Sequence, residues 1–180
     1  MPLNMTKSSQ LRVLGALKKH VSAGEVYSSV VLGMGDGLAL ALSAELGAYS
    51  VGGVEICSYK PECIAQRHAE RMLEISGIPT NQAFLFWGMD GADLHSLDDL
   101  CSEGTHSILA YSLDDSIPLV TRKHWYRLAE ANERVCAIAT CHHHSLNLLE
   151  MLPSFECTAS FRVRLEGGRC NRTMRVLKRK

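Results

Sequence analysis

The segment Tyr27–Gly37, with the sequence Y-S-S-V-V-L-G-M-G-D-G, decides how this chain should fold. Its first half is a short β-branched run, which is typical of a strand buried in a parallel sheet. Three glycines, Gly33, Gly35 and Gly37, follow at alternate positions. They overlap the start of the alanine- and leucine-rich segment Asp36–Leu46. A buried strand, a glycine turn and a buried helix are the first unit of an α/β fold.

The rest of the chain repeats this alternation of strands and helices. The predicted strands are Tyr27–Leu32, Ser50–Ile56, Ala83–Trp87, His106–Leu113 and Arg134–Thr140, and the predicted helices are Asp36–Leu46, Pro61–Ile75, Leu94–Leu100, Leu119–Ala131 and Ser145–Leu152. Two further strand-like runs, Phe155–Leu165 and Arg169–Lys178, flank Glu166-Gly167-Gly168, which is typical of a hairpin turn. The pattern predicts a mostly parallel, twisted α/β sheet with helices on both faces and a C-terminal antiparallel β-hairpin, as one domain over residues 25–180.

Length and composition limit the class of protein. The chain has 180 residues, of which 46% are hydrophobic and 21% charged, and this balance is that of a globular domain rather than a disordered chain. No run approaches eighteen consecutive apolar residues, so we expect no membrane span. Seven cysteines are an odd number and no secretory signal precedes them, which favours reduced thiols in an intracellular protein of the nucleus or cytoplasm.

Residues 1–24 have two open interpretations. They contain four basic residues, several serines and no acid, which is the composition of a mitochondrial presequence. The alternative is an amphipathic helix packed on the fold, with Leu11, Leu14 and Leu17 on one side. We favour the helix because its pattern runs directly into the first strand.

The charges are unevenly distributed along the chain although their sum is zero. Residues 36–115 carry thirteen acidic and three basic residues, whereas residues 116–180 carry five acidic and twelve basic residues. The basic excess concentrates in the hairpin, residues 155–180. Such a ribbon either contacts an acidic partner, RNA or protein, or is a solvated edge strand whose charges prevent aggregation.

The glycine segment and two acids predict a nucleotide-type pocket. In parallel sheets, ligands bind outside the carboxyl ends of the strands, where Gly33, Met34, Gly35, Asp36 and Gly37 are expected to lie. Glu55 at the end of the second strand is placed to accept the hydroxyls of a ribose. Asp90 after the third strand is placed to reach an adenine. The order of these features predicts a pocket for an adenosyl group.

From about Val26 onward, the chain resembles a class I S-adenosylmethionine-dependent methyltransferase, and within that superfamily it is most similar to the Dot1 type of histone-lysine methyltransferase. Val31-Leu32-Gly33-Met34-Gly35-Asp36-Gly37 stands where that family has D-L-G-S-G-x-G. Gly53-Val54-Glu55 and the helix Ala65–Glu74 resemble its G-V-E segment and the helix after it. The resemblance implies that the cofactor is S-adenosyl-L-methionine.

The chain departs from the family at two places that concern catalysis. Val31 occupies the position of the usual acid that helps to hold the methionine end of the cofactor, and Asp36 is the residue that can replace it in part. The family's N-N-F after strand four is replaced by Tyr111-Ser112-Leu113. On this alignment, Tyr111, Ser112 and Asp114, with Asp115, are the predicted catalytic residues bordering the methyl acceptor.

Three functions therefore remain open from the sequence. The first is a methyltransferase acting on a protein lysine in a histone-like substrate. The second is a methyltransferase-like chain that has lost catalysis and serves as an interaction subunit for a partner chain. The third is an RNA methyltransferase that holds its substrate through the basic hairpin.

A metal site is not expected. Cys136, Cys141 and His142–His144 cluster after the fifth predicted strand. Zinc sites normally combine two closely spaced ligand pairs, and that spacing does not occur here. Cys136 is instead predicted to be a core thiol.

Overall fold

The computed structural model describes residues 5–56, 64–112, 117–141, 147–165 and 171–180. Its seven strands are β1 (Tyr27–Leu32), β2 (Ser50–Glu55), β3 (Ala83–Trp87), β4 (Ser107–Ser112), β5 (Val135–Cys141), β6 (Phe155–Arg164) and β7 (Asn171–Arg179). The helices are α1 (Lys7–Lys18), α2 (Leu38–Glu45), α3 (Ile64–Ile75), α4 (Leu119–Ala131) and α5 (Leu148–Met151).

All seven strands form a single sheet in the order β3-β2-β1-β4-β5-β7-β6. β1 to β5 are parallel, and β7 and β6 add an antiparallel hairpin beyond β5. The predicted fold class is therefore confirmed. The strand order reverses at β1, so the loop after β1 lies at the switch point where ligands bind in such sheets.

The core lies on both faces of this sheet. One apolar cluster joins the sheet to α1 and α2, and the other joins it to α4 and α5. Every residue of β1 and of β4 is buried, as expected for parallel strands that are covered on both faces. The central strands are thus rigid supports for the loops at their carboxyl ends.

Helix α1 lies against the α2 side of the sheet. Its buried residues are Gln10, Val13, Leu14 and Leu17, and Leu11 is partly buried. Thr6 caps the helix by accepting a hydrogen bond from the backbone N–H of Ser9 at 3.4 Å.

Most predicted boundaries hold within two residues, and the departures have local causes. Helix α2 begins at Leu38 rather than Asp36, because Gly37 has a φ of 78° and cannot belong to the helix. The helix predicted over Leu94–Leu100 is a shorter 3₁₀ turn, Leu97–Leu100, and a second 3₁₀ turn, Gly91–Asp93, precedes the predicted range. Each turn is capped by the side chain before it. The predicted Glu166-Gly167-Gly168 turn lies outside the described residues.

Within the described part of the chain, no helix is both long enough and apolar enough to span a membrane.

Candidate functional site: the glycine loop and its acids

The loop between β1 and α2 turns sharply over the carboxyl end of β2. Gly33, Gly35 and Gly37 have φ angles of 72°, 54° and 78°, in the left-handed region that favours glycine. The N–H of Gly33 donates to the carbonyl of Val54 at 2.9 Å, and that of Gly37 donates to the carbonyl of Met34 at 2.9 Å. The glycines are therefore required by the backbone path itself.

The three glycines differ in their surroundings. A Cβ on Gly33 would lie 2.9 Å from the Cδ1 of Ile117, and one on Gly37 would lie 2.6 Å from the Cα of Ala69. At Gly35, no atom of the described residues comes within 4 Å of the Cβ position. Close packing thus accounts for Gly33 and Gly37, whereas Gly35 faces open space that a ligand can enter.

Glu55 meets the loop at this open position. Its Oε2 accepts a hydrogen bond from the backbone N–H of Gly35 at 2.9 Å, across twenty positions of sequence. Its own carbonyl accepts from the N–H of Gly88 at 2.8 Å, which ties the end of β2 to the loop after β3. The structure therefore brings Glu55 and the glycine loop together, as the sequence predicted.

The other two loop residues have structural contacts. Met34 is 1% exposed, and its side chain lies against Gly53, where a Cβ would come 2.6 Å from the methionine sulfur. Asp36 accepts the backbone N–H of Leu38 at 3.1 Å, so its carboxylate caps the first turn of α2. Met34 therefore belongs to the core, and its carbonyl accepts the N–H of Gly37 within the loop.

Asp90 lies on the α4 side of the same edge. Its Oδ1 accepts hydrogen bonds from the N–H of Ala92 at 2.9 Å and from the hydroxyl of Thr121 at 2.8 Å. The next residue, Gly91, is in close contact with Leu32 at the end of β1. These contacts place the Asp90 turn beside β1, although both partners of Asp90 come from its own turn and from α4 rather than from the glycine loop.

Two of the predicted catalytic residues, Tyr111 and Ser112, are buried at the end of β4. Tyr111 and Ser112 are 0% and 1% exposed at the end of β4, beside Val31 and Leu32 of β1. Burial, and secondly the nearby Cys141, raise the pKa of Tyr111 well above its ordinary value of 10.0. Its hydroxyl has no hydrogen-bond partner among the described residues. Asp114 and Asp115 lie outside the described residues, so the catalytic set stays a prediction.

Sequence reasoning missed the residues that shape the edge from a distance. Ile117, Ala69 and Thr121 each contact a glycine or acid that is more than thirty positions away or on another element. Only Thr121 carried a usable signal, since it is a polar residue on the buried side of α4.

The cysteine and histidine cluster gives no metal centre in the described part of the chain, which contains no group of three metal-ligating side chains. His142–His144 lie outside it. Burial raises the pKa of Cys136 to about 11, so this thiol is protonated at neutral pH.

Neither a protein-family model nor a curated protein matches the sequence. Solved structures match the fold. The 23S rRNA methyltransferase ErmE superposes with a TM-score of 0.62 at 13% identity, over 99% of this chain and 70% of that one. The methyltransferase domain of bacterial CtHen1 gives 0.61 at 14% identity, over 96% of this chain and 100% of that one. A ribosomal protein L11 methylase from Lactobacillus delbrueckii subsp. bulgaricus gives 0.57 at 17% identity, over 99% of this chain and 82% of that one.

These likenesses show that the chain has the Rossmann-like fold of class I S-adenosylmethionine-dependent methyltransferases. At these identities the likeness concerns the fold alone, which is the fold that the resemblance in the sequence implied. The compared structures give no support to the Dot1-like part of that resemblance.

Proposed function

We propose that this protein binds S-adenosylmethionine at the glycine loop and is a methyltransferase. The observation that carries the proposal is the 2.9 Å hydrogen bond between Glu55 and Gly35, at the one glycine of the loop with open space beside it. A carboxylate at this position is suited to the two hydroxyls of a ribose. The names of the compared proteins, all of them methyltransferases or methylases, agree with this function.

The residues present fit an adenosyl ligand. Glu55 would hold the ribose, the loop backbone at Gly35 would leave room for the ligand, and Asp90 would contact the adenine. When bound, S-adenosylmethionine supplies an electrophilic methyl group on a positively charged sulfur. The chain then has to align the acceptor and exclude water. Leu32 and Ser112, at the ends of β1 and β4, are 2% and 1% exposed. These buried strand ends would help to exclude water from the base of the site.

The methyl acceptor is a separate question. A protein lysine in a histone-like substrate is what the Dot1 resemblance implies, and the predicted acceptor border is Tyr111, Ser112 and Asp114. The compared proteins include an rRNA methyltransferase and a ribosomal protein methylase. The positive charge of the hairpin, residues 155–180, bears on this choice.

A second candidate function is a binding subunit that has lost catalysis. Val31, at the position of the usual acid, is 0% exposed and belongs to the apolar core shared with α1 and α2. Ile117 and Ala69 also occupy the space beside Gly33 and Gly37, respectively. These observations favour a pocket that no longer holds the charged end of the cofactor.

Calorimetric titration with S-adenosylmethionine and its demethylated product decides between the two candidates. We expect micromolar binding by the wild-type protein and a loss of about 30-fold in Glu55→Ala, since hydrogen bonds to a charged group are removed. Glu45→Ala is the matched control, because Glu45 is exposed at the far end of α2. Thermal unfolding of each variant verifies that the fold is retained.

Two outcomes would count against the proposal. If the wild-type protein does not bind at millimolar ligand, the methyltransferase proposal fails and the binding subunit is favoured. If Glu55→Ala binds as tightly as the wild type, Glu55 is not part of the site.

A further inference from the structure

The hairpin of β6 and β7 rises above the edge that carries the glycine loop. The pairing of β5 with β7 ends at Cys141 and Met174, but β6 and β7 continue pairing for three more positions, to Arg164 and Asn171. At about 3.4 Å per residue, the hairpin extends roughly 10 Å past the carboxyl end of β5. β6 lies three strand spacings from β4, which is roughly 14 Å.

The two faces of this extension are chemically different. On the face toward α1, Phe161 and Val163 pack with Met174 and Val176 in the core cluster. On the opposite face, cross-strand pairing places Ser160 beside Arg175 and Arg162 beside Thr173, and Arg164 follows on the same face. We call these five residues, Ser160, Arg162, Arg164, Thr173 and Arg175, the upper hairpin face. It consists entirely of hydroxyl and guanidinium groups.

The β6 residues of the upper hairpin face are exposed, and its two β7 residues, Thr173 and Arg175, are partly exposed. Ser160, Arg162 and Arg164 are exposed, and neither Arg162 nor Arg164 forms an ion pair with any described residue. The backbone of Arg164 is bonded on both sides: its carbonyl accepts from the N–H of Thr6 at 3.0 Å, and its N–H donates to the Oγ of Ser9 at 3.0 Å. The start of α1 therefore holds this end of the hairpin in place before any ligand binds.

Two basic residues at the other end of the hairpin, Arg179 and Lys180, bind backbone carbonyls of neighbouring elements. Arg179 donates to the carbonyls of Ala129 at 2.8 Å, Asn132 at 2.9 Å and Val135 at 2.8 Å, and it stacks on the ring of Phe155 at 4.5 Å. Lys180 donates to the carbonyl of Pro153 at 2.8 Å. Arg179 and Lys180 thus stabilise the end of α4 and the turn before β6, whereas Arg162 and Arg164 are exposed at the upper end of the hairpin.

We propose that the upper hairpin face binds the sugar–phosphate backbone of single-stranded RNA and directs a nucleotide toward the carboxyl ends of β4 and β5. This inference rests on the proposed methyltransferase function, since it names the substrate class of the same site. Arg162 and Arg164 lie about 6.8 Å apart along one face of an extended strand, a spacing comparable to that of successive phosphates.

The composition of the face favours RNA over an acidic protein. Protein interfaces have an apolar centre, and this face has none among its five residues. Arginine, serine and threonine are the side chains that bind phosphate and sugar oxygens without reading the base. The face therefore supplies affinity and position, while the pocket itself must select the nucleotide.

Fluorescence anisotropy with a short, labelled single-stranded RNA of mixed sequence tests the inference on the full chain. The test variant is the double substitution Arg162→Gln and Arg164→Gln. The control is Lys19→Gln with Lys178→Gln, which removes two exposed positive charges at the opposite end of α1 and of the hairpin. Both proteins are also titrated with S-adenosylmethionine.

We expect the test variant to bind RNA roughly 25-fold more weakly at 0.1 M salt, and its salt slope to fall by about 1.4, because each phosphate contact on a single strand contributes about 0.7. The control should change affinity by less than about twofold, and cofactor affinity should not change in either variant. If both variants lose the same amount of RNA affinity, the effect is due to net charge alone and the inference is overturned. The same dependence on Arg162 and Arg164 for polyglutamate, with no preference for RNA, would overturn it in favour of a protein partner.

The methyltransferase proposal and the RNA-binding proposal can be contradicted independently of each other. RNA binding that depends on these arginines in a protein that does not bind S-adenosylmethionine supports the surface and contradicts the methyltransferase proposal. Cofactor binding without RNA binding supports the pocket and contradicts the surface.

Discussion

At the amino ends of the parallel strands, polar side chains are hydrogen-bonded to one another, whereas at the carboxyl ends a tyrosine hydroxyl lacks a partner among the described residues and one loop glycine faces open space. Ser28 bonds to Ser50 at 2.6 Å and to Thr105 at 3.0 Å, and Arg134 pairs with Asp98 at 2.5 Å. At the opposite edge, Gly35 faces open space, and the hydroxyl of Tyr111 has no partner among the described residues.

This difference separates stability from ligand binding. Polar groups that hydrogen-bond to one another stabilise the fold and have no donor or acceptor left for a ligand. Polar groups without a partner cost stability, and they are retained where a ligand supplies the missing contact. The comparison predicts that substitutions at the amino edge change the free energy of unfolding, and that those at the carboxyl edge change affinity.

The largest expected effect is at the open glycine. Gly35→Arg should weaken S-adenosylmethionine binding by at least about 100-fold, because the side chain fills the space that the ligand needs. Gly24→Arg is the matched control, since Gly24 also has a positive φ, of 80°, and an open Cβ position, but precedes β1 at the amino edge. Both variants should lose roughly 1–2 kcal/mol of stability from the left-handed backbone. If calorimetry gives the same S-adenosylmethionine affinity for both variants, the predicted difference between the two edges is wrong.

At the amino edge, Arg179→Met should lower the free energy of unfolding by about 2–3 kcal/mol, because the carbonyls at the end of α4 lose a charged donor. Urea denaturation measures this loss. Arg175→Met, on the same strand, should cost less than about 0.5 kcal/mol. Cofactor affinity should be unchanged by Arg179→Met, and a parallel loss of affinity would show that the two edges are not independent.

A smaller effect is expected where the hydroxyl of Thr121 holds Asp90. Thr121→Val removes the 2.8 Å hydrogen bond and keeps the side-chain shape, so S-adenosylmethionine affinity should fall about fivefold. Thr121→Ser keeps the hydroxyl and should retain most of the affinity. The readout specific to positioning is the preference for an adenine over a hypoxanthine ligand, which should decrease in Thr121→Val. If that preference is unchanged, Asp90 does not contact the base.

The smallest effect is a pH dependence at the amino edge. Burial by itself raises the pKa of Asp98, but hydrogen bonds from Arg134 and Asn132 outweigh it and hold the pKa below its ordinary value of 3.8. The folded state therefore binds fewer protons, so the stability from this carboxylate is complete above pH 3.8 and is lost as the pH falls through the lowered value.

Because the Asp98 side chain is 53% exposed, the contribution should stay below about 1 kcal/mol. Asp98→Asn should remove the loss of stability that Asp98 causes on acidification, as measured by unfolding curves between about pH 5 and about pH 3. An identical pH profile in the variant and the wild type would show that the pair with Arg134 contributes nothing.

The elements with the clearest local patterns were predicted most accurately. β1, β3 and α4 begin and end at the predicted residues. Their limits are set by neighbouring residues in the chain, such as Gly33 after β1 and Pro118 before α4. The short helices were predicted poorly, because α5 and the 3₁₀ turns near Leu97 are stabilised by tertiary contacts more than by their own pattern.

For the site, the sequence by itself determined the glycine loop, its position after the first strand and the acid at the end of the second. These follow from local backbone sterics and from the rule that parallel strands end at one edge. The division between Gly35, which is open, and Gly33 and Gly37, which are closed, was decided only by the tertiary structure.

The same holds for Thr121 beside Asp90, and for the hairpin, in which Arg162 and Arg164 are exposed while Arg179 is bonded internally. In each case the deciding contact joins residues that are distant in sequence. Such contacts depend on strand register and on how each helix crosses the sheet, and no local pattern of residues specifies them.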